Sequence, residues 1–354
     1  MKIVLISNMY PSEKKPVFGV FVKNIEKQLE LFDVQIESKC VATRSTGAIN
    51  KLVSYLKLYA CIINAFFNKQ NSLYYIHFPL QTSPLLILLN FFFKKKLVLN
   101  IHGSELNKKS IFYKSFCRLL LKAKLVVVPS EFYKNLLISE YQTLSDKIFV
   151  YPSGGVDNIM FKVKDKEVLF EKYKLNRDKI ICSYISTISI QKGCYEFLDA
   201  AEILLKSENK FHFIVVGNGT SENTFKSEVE NRNLSNNFTF FDRQKQSILV
   251  DFFNMTDVFI FPSHKESLGL VALEALTCGT PVIGNDIEPI NSYIKDGYNG
   301  YLYKKGEAKD LARKVLLFSK MQLTIDFKEN AIKSSIFFES KICTKLLATK
   351  LKEI

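Results

Sequence analysis

The sequence predicts an α/β protein built from two Rossmann-like, doubly wound domains, and two patterns support this prediction. First, short apolar runs rich in β-branched residues alternate with segments of helical spacing along the chain. Second, this alternation occurs in two series, which the glycine-rich stretch "YPSGGVD" separates. Such alternation is typical of parallel sheets covered by helices on both faces. A length of 354 residues also suits two domains.

The first series opens with "KIVLIS", a continuous apolar run typical of a buried parallel strand. The next segment, "VFVKNIEKQLELF", has the apolar spacing of one helix face. Further strands are predicted at "LYYIHF", "KLVLNIHG", "KLVVVPS" and "KIFVYPSGG". The second series contains the predicted strands "IICSYIS", "FHFIVVGNG", "FTFFD", "DVFIFPS" and "TPVIG", with helices such as "YEFLDAAEILLKS" between them. The domain boundary is expected near residues 155 to 165.

Charge is distributed unequally between the two series. The formal net charge is +14, and residues 1–155 carry 21 Lys+Arg against 9 Asp+Glu, which gives +12 for this half. Residues 156–354 carry 28 against 26, which gives +2. A basic half predicts an anionic partner, either nucleic acid or a membrane surface. No nucleic-acid-binding motif accompanies the charge, which favours the membrane.

Cysteine usage and hydropathy predict a cytoplasmic protein that does not span a membrane. The seven cysteines are an odd number without a C-x-x-C pair, so reduced, mostly buried thiols are expected. No secretory leader pattern is visible at the N-terminus. The longest apolar run, "PLLILLNFFF", has about half of the roughly 20 residues that a spanning helix needs.

Two carboxylates stand out in "PSHKESLGLVALEALTCGTPVIG", residues 262–284. Glu266 is expected in the loop after a strand and Glu274 about two turns into the following helix. The backbone N–H groups at the helix start, near Leu268, Gly269 and Leu270, would bind an anion such as phosphate. The carboxylates would accept hydrogen bonds from hydroxyl groups on either side of that phosphate. This arrangement suits a nucleotide-sugar.

The same segment resembles the E-x7-E signature of the retaining GT-B glycosyltransferases, known as glycosyltransferase family 4 or glycosyl transferases group 1. Further stretches similar to motifs of that family occur in its order: "YPSEKKPVFGVFVKNI", "NIHGSE", "VPSEFYKNLL", "YPSGGVDNIMF", "QKGCYEFLDA", "VVGNG" and "DGYNGYLY". The resemblance covers nearly the whole chain. It implies an acceptor-binding domain at 1–157 and a nucleotide-sugar-binding domain at 158–335, facing each other across a cleft. A C-terminal helix at about 336–354 would pack back on the first domain.

The resemblance also implies a role for individual residues. Glu266 would contact hydroxyls of the donor sugar, Glu274 the ribose, and Lys192 the pyrophosphate. His102 would lie close to the transferred sugar, and Gly19 would pack against the donor phosphates or the acceptor. His102, Glu266 and Lys192 form the expected catalytic set. The expected donor-binding set is Gly19, Thr187, Lys192, Gly217, Arg243, Glu266, Ser267, Leu268, Gly269, Leu270 and Glu274.

One position departs from the family pattern. The family usually has Gly-Arg five to six residues before the lysine, and that arginine also holds the pyrophosphate. Here the aligned pair is Ser186-Thr187. Three outcomes are open: Arg243 compensates, turnover is slow, or activity is lost and the protein serves as a nucleotide-sugar-binding or scaffolding subunit. An epimerase of the same fold lacks support, because the E-x7-E spacing is the transferase pattern.

Each functional assignment has a structural alternative. Glu266 and Glu274 could be solvated helix residues, and Lys192 could be a surface lysine at a helix entry. His102 could be a hydrogen-bonded core histidine. Gly217 in "VVGNG" could shape only a turn, since the G-x-G-x-x-G spacing of a dinucleotide-binding loop is absent.

The basic half offers a candidate membrane or acceptor surface. In "IFYKSFCRLLLKAK", three cations recur at i, i+4 and i+8, on one side of a predicted helix. Each Lys or Arg near an anionic leaflet contributes about 1 kcal/mol of attraction. A solvated helix face is the alternative. The expected surface comprises Lys94, Lys95, Lys96, Lys108, Lys109, Lys114, Arg118 and Lys122.

The resemblance therefore predicts sugar transfer with retention at the anomeric carbon and without a metal or other cofactor. The donor would be a UDP-, GDP- or ADP-sugar, and the acceptor a saccharide or polyprenol-linked saccharide. The expected pathway is bacterial surface polysaccharide synthesis, such as capsule, lipopolysaccharide O-antigen or exopolysaccharide. The protein would lie on the inner face of the cell membrane and would not bind nucleic acid.

Overall fold

The computed structural model describes residues 1–13, 15, 18–43, 47–69 and 71–354. Its contacts divide the chain into two compact units, Met1–Gly155 with Ser340–Ile354, and Val156–Glu339. The sequence predicted the boundary between the two domains at 157/158 and the start of the returning C-terminal helix at about 336. Each unit is a six-stranded parallel sheet with helices, so the predicted α/β class is confirmed. The loop of the first motif, "YPSEKKPVFG", contains Lys14, Pro16 and Val17, which lie outside the described residues.

The first unit has the strand order β2-β1-β3-β4-β5-β6. Its strands are β1 (Lys2–Tyr10), β2 (Gln35–Thr43), β3 (Leu73–His77), β4 (Leu97–Asn100), β5 (Leu125–Val128) and β6 (Ile148–Val150). Its helices are α1 (Val20–Glu30), α2 (Ala48–Asn68), α3 (Ser83–Phe93), α4 (Tyr113–Lys122) and α5 (Glu131–Glu140). The short strands β3, β4 and β5 are buried throughout and mostly apolar, because helices cover the sheet on both faces.

The second unit has the strand order β12-β11-β10-β7-β8-β9. Its strands are β7 (Ile180–Ile185), β8 (Phe211–Val216), β9 (Phe238–Phe241), β10 (Val258–Phe261), β11 (Val282–Asn285) and β12 (Gly300–Tyr303). Its helices are α6 (Lys166–Tyr173), α7 (Cys194–Ser207), α8 (Glu222–Asn231), α9 (Gln246–Met255), α10 (Leu270–Thr277), α11 (Ile290–Tyr293), α12 (Ala308–Met321) and α13 (Phe327–Ser335). Two core clusters lie on opposite faces of this sheet.

The last helix, α14 (Ser340–Lys352), belongs to the first unit. Its buried residues Cys343, Leu347 and Leu351 share a core cluster with α1 on one face of the first sheet. The Tyr151 hydroxyl and the Thr344 hydroxyl lie 3.1 Å apart, which ties this helix to the segment after β6. Helices α2, α3, α4 and α5 contribute to the cluster on the other face.

The expectation of seven free thiols is wrong for one pair, because Cys40 on β2 and Cys61 on α2 form a disulfide. Their Cα atoms are 5.4 Å apart, a normal separation for this bond. Because α2 packs against β2, two cysteines that are distant in sequence meet. The remaining five cysteines, all among the described residues, form no disulfide, and four of them are buried.

Within the described part of the chain, no helix has both the length and the apolar character needed to cross a bilayer.

Candidate functional site

Two neighbouring parallel strands of the second unit position the two best-defined site loops. Strand β10 pairs with β7 in parallel, with Val258 opposite Cys182 and Phe259 opposite Ser183. The loops that follow these strands therefore leave the same edge of the sheet. The loop after β7 carries Thr187 and Lys192, and the loop after β10 carries Glu266. In parallel α/β sheets, ligands bind at this carboxyl edge.

Lys192 and Glu266 form an ion pair between these two loops, with the lysine Nζ donating to Glu266 Oε1. Both side chains are partly exposed. An ammonium group has three donors, so Lys192 keeps N–H groups for an anionic ligand while it stays paired with Glu266. The pair places a positive charge and a hydroxyl-accepting carboxylate at one point. Neither group is therefore merely a solvated helix residue.

A set of hydrogen bonds fixes the loop that carries Glu266. The His264 backbone N–H donates to the Gln191 carbonyl at 3.0 Å, next to Lys192 in sequence. The His264 Nε2 atom lies 2.7 Å from a carboxylate oxygen of Glu196, a buried residue in the first turn of α7. The side-chain amide of Asn285 donates to the carbonyls of Pro262 at 2.8 Å and Ser263 at 3.0 Å. The ion pair thus sits on a preorganised frame.

Gly193 allows the two loops to approach closely. It has a left-handed backbone, with φ of +69°, and a Cβ atom there would lie 2.1 Å from the Pro262 carbonyl oxygen. Any side chain at this position would push the Pro262 loop away from Lys192. Glycine is therefore required for both the conformation and the close contact.

We expect Gly193→Ala to separate the two loops and to lower both activity and stability. A left-handed alanine costs about 1 kcal/mol, and the steric clash adds roughly 1–3 kcal/mol. Gly297→Ala is the matched control, because Gly297 has φ of +71° with nothing within 4 Å of its Cβ position. Thermal melting of the two variants separates the clash from the backbone strain. Equal losses of melting temperature would show that the contact with Pro262 does not hold the loops together.

Helix α10 begins at Leu270, two residues later than the sequence predicted, and Gly269 is its N-cap residue in a left-handed conformation. Among the described residues, no acceptor takes the backbone N–H groups of Gly269, Leu270 or Val271. Such free N–H groups favour an anion. Leu268 is buried, its carbonyl accepts a hydrogen bond from the Tyr293 hydroxyl at 2.8 Å, and Ser267 beside it is partly buried.

Glu274 lies on α10 just over one turn after the helix start, not two turns as predicted. Its side chain is buried, and the Gln246 amide donates to its Oε1 atom at 3.1 Å. Burial raises the pKa of Glu274 to about 8, because an ionised carboxylate loses its hydration there. A buried carboxyl group with one amide partner has acceptor capacity left for a ligand hydroxyl.

Gly217, Thr187 and Arg243 lie in the loops after β8, β7 and β9. A Cβ atom at Gly217 would lie 2.0 Å from the Ser186 carbonyl oxygen. Packing of the two loops therefore requires glycine at this position. The Thr187 carbonyl accepts from the Tyr184 hydroxyl at 3.0 Å, and Thr187 itself is exposed. The Arg243 backbone N–H donates to the Asn218 side chain at 2.8 Å. No acceptor among the described residues holds the exposed Arg243 guanidinium, so its predicted contact with the pyrophosphate stays a prediction.

His102 follows β4 in the first unit and lies in an aromatic cluster. Its ring stacks on Phe78, with centroids 4.2 Å apart, and its Nε2 atom is 3.1 Å from Nδ1 of His77. Burial lowers the pKa of His102 to about 3 and that of His77 well below its usual value, so both rings are neutral at pH 7. The buried Glu105 carboxylate accepts the His102 backbone N–H at 3.1 Å. His102 is thus held as a neutral ring with a fixed partner.

Gly19 is the N-cap residue of α1, also in the first unit, with φ of +71°. A Cβ atom there would lie 2.6 Å from the Met9 carbonyl carbon, so the glycine lets α1 start directly against the end of β1. The predicted contact with phosphates or acceptor stays a prediction.

The predicted basic surface is exposed in most of its members. Lys114, Arg118 and Lys122 are exposed on α4, opposite its buried residues, and have no ion-pair partner among the described residues. Lys94 and Lys109 are likewise exposed. Others are engaged: Lys96 donates to the Ile354 carbonyl at 2.6 Å, Lys108 pairs with Glu140 at 2.7 Å, and Lys95 lies 3.4 Å from the Lys69 carbonyl.

The structure thus brings Lys192 and Glu266 into contact in the second unit, whereas His102 and Gly19 belong to the first unit. Four residues that the sequence did not single out support the second-unit site: Glu196, Gln246, His264 and Asn285. Glu196 lies in the quoted motif "QKGCYEFLDA" and His264 in "PSHKES". This position within a motif was the sequence signal that could have pointed to them.

The fold with these two sheets is that of the GT-B glycosyltransferases. The solved structure of HepE from Anabaena in complex with UDP superimposes with a TM-score of 0.79 at 19% identity, over 100% of both chains. Residues 165–334 match the family model described as glycosyl transferases group 1. This segment, which contains Thr187 to Glu274, matches that family. The predicted resemblance to glycosyl transferases group 1 is therefore confirmed, whereas the retaining mechanism stays a prediction.

Curated relatives are glycosyltransferases as well. The capsular polysaccharide biosynthesis glycosyltransferase CapM of Staphylococcus aureus is 28% identical over 193 residues, which cover 54% of this chain and 50% of CapM. A Campylobacter jejuni N,N'-diacetylbacillosaminyl-diphospho-undecaprenol alpha-1,3-N-acetylgalactosaminyltransferase is 27% identical over 219 residues, covering 60% of this chain and 55% of the relative. The chain spans about half the length of these relatives.

Proposed function

We propose that this protein is a retaining glycosyltransferase that moves a sugar from a nucleoside-diphosphate-sugar to a saccharide or lipid-linked saccharide. The observation that supports this best is the Lys192–Glu266 ion pair at the carboxyl edge of the second sheet. In the proposed complex, Lys192 and the free N–H groups at the start of α10 stabilise the diphosphate as its charge develops. Glu266 accepts hydrogen bonds from sugar hydroxyls, and Glu274 accepts one from the ribose.

The proposed reaction needs no metal or other cofactor, since Lys192 and the α10 N-terminus neutralise the leaving group. The bond from the anomeric carbon to the diphosphate oxygen breaks, and its electron pair leaves with the diphosphate. The acceptor hydroxyl oxygen bonds to the same carbon with retained configuration, and the proton of that hydroxyl passes to the departing diphosphate. His102, held neutral beside His77, contacts the sugar as it transfers. Arg243 and Thr187 complete the diphosphate site in this proposal.

UDP is the first donor nucleotide to test, because HepE has been solved with UDP and with UDP-glucose. GDP and ADP are the alternatives. We expect one of the three, with its sugar conjugates, to raise the melting temperature in a thermal-shift screen. A ligand at about 100 times its Kd adds roughly 2.7 kcal/mol to the free energy of unfolding. The screen is run with and without EDTA, and equal shifts are expected.

The acceptor and the location form the second part of the proposal. A lipid-linked saccharide at the inner face of the cell membrane suits the excess of positive charge in residues 1–155, and the Campylobacter relative is named for an undecaprenol-linked acceptor. The product would enter a bacterial surface polysaccharide, such as capsule or lipopolysaccharide. Lys94, Lys109, Lys114, Arg118 and Lys122 would face the anionic lipid.

A catalytically weakened nucleotide-sugar-binding subunit is the second candidate, and the exposed Thr187 favours it because the family arginine is missing there. Nucleotide binding in the thermal-shift screen without transfer or hydrolysis of any donor would support this candidate. Absence of stabilisation by every nucleotide would contradict both proposals for the second unit.

A further inference from the structure

Three helices of the first unit present one outward surface. Helices α2, α3 and α4 all contribute buried side chains to the same core cluster, so they cover the same face of the sheet. Helix α3 also packs between α2 and α4. The exposed sides of these three helices therefore point away from the sheet together. Helices α1 and α14 lie on the opposite face.

Helix α2 is apolar on two opposite sides. Leu58, Ile62 and Phe66 are buried in the core. Ile49, Leu52, Leu56 and Phe67 repeat at helical spacing on the other side, and Leu56 is 57% exposed while Ile49 is 78% exposed. An amphipathic helix of a water-soluble domain carries polar residues on its outer side. A helix that is apolar on two opposite sides needs a second apolar environment.

The exposed stripe continues onto α3. The ring of Phe67 contacts Phe93 at the end of α3, with centroids 4.8 Å apart. The two preceding phenylalanines on α3 are each about two-thirds exposed. We name the following six residues the apolar face: Ile49, Leu52, Leu56, Phe67, Phe91 and Phe92. Several exposed apolar side chains on two packed helices indicate an interaction site, unlike single exposed apolar residues.

The chain segment that carries the apolar face is strongly basic, although Glu37 pairs with Lys69 at the end of α2 and Glu140 pairs with Lys108 near α4. Residues 38–130 contain 14 Lys and Arg residues but a single acidic residue, Glu105. Glu105 is buried, so it does not offset the surface charge. Helices α2, α3 and α4 contain no acidic residue. An anionic partner with an apolar interior matches this combination.

We propose that the apolar face enters the acyl boundary of an anionic membrane, with the α4 cations and Lys94 at the headgroups. This inference deepens the membrane attachment in the proposed function, on which it rests, by naming the inserted residues. Interfacial helices bind in this way, with apolar side chains below the headgroups and basic residues at their level. Attraction by α4 alone would weaken at high salt, whereas insertion persists because it depends on buried apolar area.

The absence of tryptophan from the chain makes insertion directly measurable. In Leu56→Trp and Phe91→Trp variants of the full chain, we expect a blue shift on adding phosphatidylglycerol vesicles, and quenching by brominated acyl chains. Leu346→Trp is the matched control, because Leu346 is also 57% exposed but lies on α14, on the opposite face of the sheet. It should show neither effect. Unchanged spectra of both test variants would overturn the proposal.

A loss-of-function pair tests whether insertion contributes to binding. Leu52→Gln with Leu56→Gln should lower the vesicle partition coefficient at high salt by at least about tenfold, since neither side chain can then gain the free energy of burying a leucine. Leu346→Gln should leave it unchanged. Charge reversal of Lys114, Arg118 and Lys122 should lower binding mainly at low salt. Partitioning of the double variant equal to that of the native protein would contradict insertion.

Two controls distinguish membrane insertion from self-association and from donor binding. If the double variant loses self-association in lipid-free sedimentation but keeps its vesicle binding, the apolar face binds a second copy and the proposal is wrong. The nucleotide thermal shift should survive the double variant, because α2 contributes nothing to the second-unit site. If the membrane proposal fails, the donor-binding result therefore stands. If no nucleotide binds, the result on membrane insertion likewise stands.

Discussion

Lys192→Ala is expected to lower the rate of sugar transfer by about 100 to 1000-fold, the usual cost of losing one preorganised contact to developing charge. The ammonium is held by Glu266, so its position at the proposed diphosphate site is fixed before the donor binds. In addition, the variant leaves the negative charge of Glu266 uncompensated beside the proposed phosphate positions. The thermal shift given by the cognate nucleotide should shrink or disappear.

The measurement compares transfer rates with saturating donor and the nucleotide-induced melting shift in the same preparations. Lys206→Ala is the matched control, because Lys206 forms an exposed ion pair with Glu202 elsewhere in the second unit. It should behave like the native protein in both assays. A Lys192→Ala variant with native transfer rate and native thermal shift would remove the diphosphate assignment.

Glu274→Gln is expected to change how stability depends on pH. The folded-state pKa of Glu274 is about 8 and its ordinary value is 4.5, so the folded protein holds a proton that the unfolded chain has lost between these pH values. The stabilisation is complete below about pH 4.5 and is lost as pH rises through 8. At about 1.4 kcal/mol per pKa unit, the total loss is a few kcal/mol.

The Glu274→Gln variant should not lose stability as pH rises, because glutamine fills the same space without ionising. The free energy of unfolding of Glu274→Gln should therefore exceed that of the native protein above pH 8, and the difference should narrow as pH falls. Glu171→Gln, at an exposed site on α6, should show no such pH-dependent difference. Parallel pH profiles of Glu274→Gln and native protein would show that Glu274 is not a buried proton-holding group.

The same variant tests the ribose assignment. A carboxylate accepts hydrogen bonds from two hydroxyls better than an amide, so Glu274→Gln should weaken nucleotide binding at pH 8 and above. Because bound ribose favours the ionised form, nucleotide affinity relative to the variant should rise as pH passes through about 8 and level off above it. Equal affinities at every pH would leave Glu274 with a structural role only.

Much of the architecture could be predicted from sequence patterns, because the burial of each strand determines its own residue types. Strands β1, β3, β4 and β5 are continuous apolar runs, because helices cover both faces of the first sheet. Strand β2 was not predicted, because it lies at the sheet edge and has few buried residues. Strand β12, also at an edge, appeared in the sequence only within a family motif.

The site residues came from the order and spacing of motifs, but their contacts did not. Lys192 and Glu266 are 74 positions apart, and only the parallel pairing of β7 with β10 brings their loops together. In the sequence, Gly193 cannot be distinguished from other glycines that precede a helix. Only the tertiary structure shows that Pro262 occupies the space that a side chain at this position would need. Sequence spacing carries no information on such long-range approach.

The amino-acid sequence was enough to predict the fold class, the family resemblance of residues 165–334 and the unequal charge of the two halves, because periodicity, motif order and composition are local properties. Tertiary structure alone decided the Cys40–Cys61 disulfide, the support of Glu266 by Glu196 through His264, and the burial of Glu274. It also decided which side of α2 is exposed. A helix that is apolar on two opposite sides has no sequence signal for its outer side, and packing against the sheet decides which side is buried.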